Sequence, residues 1–186
     1  MQQRKLLHKT PLEYWEERAN HVLSHFNYQE PDEIDIYEIC YRYGIKVKHH
    51  NKDTTFSVPK EGRRGIIYLQ SNLPADEERV ILAEEFCHLY AHAMDQLSAS
   101  KYFIEKQENQ AKRMAAYLLM PSWFMENVYK MAEFNEIGVL IEEIADYFVV
   151  PEEFARYRMQ LDASREIGRT LRKWRGEYGS IEWIDY

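Results

Sequence analysis

A run of fourteen residues from Arg79 to His92 limits what this chain can become more than any other stretch. Val80, Leu82, Ala83, Phe86, Leu89, Tyr90 and Ala93 recur mainly at intervals of three and four, the spacing of a helix with one buried face. Pro74 and the acids Asp76, Glu77 and Glu78 supply a helix start, so the spacing predicts a helix over 76–94. Side chains four apart stack on one helix face, which puts Glu84, His88 and His92 in one polar column. Carboxylate and imidazole groups against an apolar face are costly to bury unless something pairs with them. A divalent metal is one such partner, because Zn²⁺ accepts both oxygen and imidazole nitrogen. A second arrangement needs no metal: Glu84 and Glu85 on a solvated face, pairing with Arg79 or Lys112, and His88 hydrogen-bonded to Glu108.

Glu84-Glu85-Phe86-Cys87-His88 keeps the spacing of the metal-binding helix motif H-E-x-x-H, with glutamate in place of the first histidine. A metal site on this pattern needs a third ligand from elsewhere. Glu108 opens the segment Glu108-Asn109-Gln110-Ala111, which continues through Ala115-Ala116 to Leu118-Leu119-Met120-Pro121.

The rest of the chain supplies a frame for such a site. Leu12, Trp15, Ala19, Val22, Leu23 and Phe26 predict a first helix opened by Thr10 and Pro11, and residues 32–43 predict a second that stops at Gly44. Ile45, Val47 and His49 alternate with Lys46, Lys48 and His50 as in a half-buried strand. Residues 54–58 and 65–69 predict two more strands, the last apolar enough to be central. Helices are then expected over 104–120, 123–134, 137–148, 152–161 and 164–175. The order is that of an α+β domain, mainly helical, with a small three-stranded sheet and a helical C-terminal region. Its expected parts are an N-terminal helical extension (1–33), a core (34–134), a C-terminal helical region (135–178) and a tail (179–186).

Composition narrows the class. At 186 residues with 45% apolar and 14% aromatic side chains, one well-filled core is expected. A net charge of −7 disfavours broad nonspecific binding to nucleic acid or anionic membranes, although the arginines from Arg156 to Arg175 predict a local basic stripe, either a solvated helix face or a docking face for an acidic partner or DNA. Cys40 and Cys87 both sit in apolar helical contexts, as reduced packing thiols of a cytoplasmic protein would. No apolar run reaches the roughly twenty residues that span a bilayer.

Taken together, Leu82-Ala83-Glu84-Glu85-x-x-His88, the Glu108 to Pro121 segment, Ile144-Ala145-x-x-Phe148-x-Val150 with Arg158, and the strand Gly65-Ile66-Ile67-Tyr68-Leu69 resemble the ImmA/IrrE family of metallopeptidases. The resemblance covers roughly residues 34–161. It implies Glu84, His88 and Glu108 as metal ligands and Glu85 as general base, with Zn²⁺ as the metal. A carboxylate at position 84 relaxes that preference towards Mn²⁺ or Fe²⁺, and His92 is an alternative ligand. The implied activity is a zinc-dependent endopeptidase acting on a protein, typically a helix-turn-helix repressor of a phage or other mobile element, and so on transcription. The alternative is a metal-free, inactive member that binds a regulator protein without cutting it.

Overall fold

The computed structural model describes residues 13–61, 64–91, 101–134 and 140–178, with backbone alone for Glu133 and 166–178. Among them are seven α-helices and one three-stranded sheet, an α+β fold that is mainly helical, as the sequence pattern predicts. The order is α1 (Tyr14–Leu23), a 3₁₀ turn (Pro31–Glu33), α2 (Ile36–Arg42), β1 (Ile45–His50), β2 (Phe56–Pro59), β3 (Gly65–Gln70), α3 (Ala75–Ala91), α4 (Lys101–Leu119), α5 (Ser122–Phe134), α6 (Ile141–Phe148) and α7 (Glu152–Tyr178).

Local chemistry explains the departures from the predicted boundaries. The expected helix over 32–43 is broken, because the Asp35 carboxylate accepts a 3.0 Å bond from the Glu38 amide and starts α2 afresh. Gly44, at φ +71°, ends α2 in the left-handed conformation. Thr10 and Pro11 lie outside the described residues; α1 opens at Tyr14 with Glu13 as its N-cap residue. The two expected C-terminal helices are one: the expected break between residues 161 and 164 is absent, and Asp162 pairs within the helix with Arg158, four residues earlier. α4 stops before Pro121, which cannot continue a helix.

Strand order is β1-β3-β2, with β1 parallel and β2 antiparallel to the central β3. Ile67 and Leu69 of β3 are fully buried, and α3 packs beneath the sheet. The contact is close. A Cβ on Gly65 would stand 2.7 Å from the Val58 carbonyl oxygen and 2.8 Å from a Leu89 methyl, so only glycine lets α3 and β2 approach this way. The core runs on through Leu82, Phe86 and Cys87 of α3, Met114 to Leu119 of α4 with Met120 after it, and Ile144, Phe148 and Ala155 of α6 and α7. Cys40 and Cys87 are both buried and free.

A buried polar network ties the helical layers together. Arg158, wholly buried, donates to the Met120 carbonyl (2.9 Å), to Ser122 Oγ (3.1 Å) and to Asp162, and stacks over the Tyr117 ring. Glu16, 1% exposed, accepts from Ser122 and from Arg165 at 2.7 Å. Arg158 and Arg165 are thus turned inward, which removes both from any basic surface. No helix among the described residues is long and apolar enough to cross a membrane.

Candidate metal centre and peptide edge

α3 and α4 lie side by side, and the candidate site forms where they face each other. His88 Nε2 stands 3.1 Å from Glu108 Oε2, which joins two residues twenty positions apart in sequence. Glu84 is one turn before His88 on α3, half-buried, and its carboxyl is pushed up to about 7. Burial is the main cause; Lys112 partly offsets it, while the carboxylates of Glu108 and Glu85 add to it. Glu85 is also raised, first by burial, against the hydrogen bond from Ser57 and the nearby His88 ring. Arg79, a candidate partner for these acids, instead donates at 2.7 Å to the carbonyls of Ile34 and Pro31.

Glu85 therefore meets Ser57 of β2, while its carboxyl still senses the His88 ring and the Glu108 carboxylate. β2 is an edge strand, and its neighbours Phe56 and Val58 are each 42% exposed. Sequence reasoning did not single out Ser57, since a serine in a short strand carries no signal until the strand's position over α3 is known.

Among the described residues no three His, Cys, Asp or Glu side chains are gathered closely enough to hold a metal ion as they stand. His88 and Glu108 are brought together; Glu84 shares their electrostatic field without completing a set. His92 lies outside the described residues. The donor types nevertheless suit a divalent cation, which would relieve the smaller part of the Glu84 shift, the part that comes from the carboxylates of Glu108 and Glu85.

Residues 40–160, well over half of the chain, match the IrrE N-terminal-like domain family of peptidases, peptidase family M78. The chain belongs to that family. The match takes in all three strands and α3 to α6, and with them Glu84, Glu85, His88 and Glu108. The IrrE-like family is of metallopeptidase type and generally metal-dependent. No curated protein matches the chain. α1 precedes the matched IrrE-like region, and α7 runs on beyond it.

Proposed function

We propose that this protein is a divalent-metal-dependent endopeptidase acting on a protein substrate, a helix-turn-helix repressor of a mobile element being the substrate class that the family resemblance favours. The observation that carries the reading is the His88–Glu108 contact across α3 and α4, with Glu85 beside it facing an exposed edge strand. Glu84, His88 and Glu108 would hold the ion, Zn²⁺ first and Mn²⁺ or Fe²⁺ next given the oxygen-rich donors. Bound there, it would supply Lewis acidity towards a peptide carbonyl and acidify water.

The chain's own residues supply the rest. Glu85 takes a proton from the attacking water at its carboxylate and returns it to the leaving amine nitrogen. Its raised pKa moves it towards the pH at which it works, and the Ser57 hydroxyl fixes its orientation. An extended substrate can add to the outer edge of β2, backbone to backbone, with Phe56 and Val58 contacting alternate side chains.

The second reading is an inactive member that binds a regulator without cutting it. It is favoured by one observation, the Glu84 carboxylate where an imidazole would complete the motif.

Elemental analysis of protein purified without chelator separates the two readings. About one equivalent of metal, lost in His88→Ala and in Glu108→Ala, is expected. Glu85→Gln should keep metal and fold and lower cleavage about 10²–10⁴-fold. Metal-free protein that stays so after dialysis against zinc would sink the first reading.

A further inference from the structure

α1 lies before the family match, yet it holds both helices of the candidate site. Glu13, at its N-cap, accepts bonds from Arg113 Nη1 (2.9 Å) and the Tyr117 hydroxyl (2.6 Å), both on α4. Arg18 donates from Nη2 to the Tyr90 carbonyl near the end of α3 (3.2 Å), and its guanidinium lies 4.9 Å from the centre of the Tyr90 ring.

The direction of these contacts matters. At about 100° per residue, Tyr90 sits roughly 200° round α3 from His88. Arg113 and Tyr117 sit roughly 140° and 180° round α4 from Glu108. α1 therefore grips the pair from the side away from the His88–Glu108 contact. It cannot slide, because Ala19 and Val22 are wholly buried and the buried Glu16 pins it to Ser122 and Arg165. A strap on the back of two packed helices sets the separation of their backbones, and the approach of His88 to Glu108 depends on that separation.

We infer that Glu13 and Arg18 are positioning residues for the His88–Glu108 pair, and that α1 is a working part of the site. The part of this inference that concerns metal affinity rests on the metallopeptidase reading; the part that concerns the pair does not.

The test is the double variant Glu13→Met/Arg18→Met, which keeps side-chain length and removes both grips. In metal-free protein, the His88 ring nitrogen resonances, assigned with His88→Gln, report the contact with Glu108. They should move towards those of Glu108→Gln. In the same variant, the zinc dissociation constant, measured by chelator competition, should rise at least tenfold. Arg79→Met, which frees α3 from the Pro31 and Ile34 carbonyls, is the control for general loss of stability and should leave both readouts unchanged. If the double variant fails to fold, Tyr117→Phe removes one donor to Glu13 alone and should move the resonances in the same direction by less. Unchanged His88 resonances, or an equal change in the control, overturn the inference. A parent protein that binds no zinc, with His88 resonances that still move in the double variant, sinks the metal reading and upholds the positioning role.

Discussion

Glu84→Gln offers a direct test of how the candidate centre is built. A carboxyl with an ordinary value of 4.5 ionises near 7 in the folded protein because it is half-buried beside Glu85 and Glu108. Between those two values the folded state binds more protons than the unfolded chain, so stability falls as pH rises from 4.5 to 7. Below 4.5 both states carry a neutral carboxyl, and the group costs nothing. Above 7 both are ionised, and the full cost is present. At about 1.4 kcal/mol per tenfold change in proton affinity, that cost is about 2–3 kcal/mol at pH 8, after allowing for the water that still reaches the side chain. Glutamine keeps the shape and removes the charge. The variant without metal should therefore match the parent at pH 4 and exceed it by about 2–3 kcal/mol at pH 8, or roughly 5–10 °C in Tm. Urea denaturation of both proteins in chelator, at pH steps from 4 to 8, measures this. A stability difference that does not change with pH would refute the claim that burial and like charge hold Glu84 up.

Two further changes probe the frame. Gly65→Ala puts a methyl against the Val58 carbonyl and Leu89, so the α3–β2 spacing must widen at a cost of about 1–3 kcal/mol; an unchanged urea midpoint would show that the sheet yields freely. Arg158→Met leaves Asp162, Ser122 and the Met120 carbonyl without their buried donor and should cost about 3–5 kcal/mol by the same assay, whereas a loss under 1 kcal/mol would mean that the network relaxes around the gap.

How much of this was legible in the sequence depends on the range of the interaction. The α3 column could be read because helical spacing is local: Glu84 and His88 share a face whatever surrounds them. The central place of β3 followed from its continuous apolar run, Ile66 to Leu69. The pairing of His88 with Glu108 required two helices to cross at one point. Family resemblance, not spacing, proposed it as a ligand pair, and the metal-free arrangement expected it as the hydrogen bond that is observed. The Glu16–Arg165 and Arg158–Asp162 contacts were not foreseen, although Glu16 carried a signal, a charge in step with Leu12 and Ala19 on an apolar face. Reading the arginines from Arg156 to Arg175 as a surface stripe failed at Arg158 and Arg165 for the same reason. A charge paired across about 150 residues looks solvated until its partner is found.

The counter-ion of Glu84 decides between the two functional readings. Lys112 is the basic side chain that already lowers Glu84, but it is exposed, and its ammonium lies 5.1 Å from the centre of the Tyr157 ring. Such a charge compensates only in part, and Glu84 remains near 7. A divalent ion at the same carboxylates would force Glu84 to ionise, so metal uptake below pH 7 must expel its proton, and affinity must climb with pH until Glu84 is already charged. Glu84→Gln removes that proton from the reaction. Titration calorimetry at pH 6, in buffers of different ionisation enthalpy, should therefore find close to one proton fewer released by the variant than by the parent. Equal release would mean that Glu84 is not a ligand, and no heat of metal binding in the parent is the outcome expected of a metal-free protein that binds a regulator without cutting it.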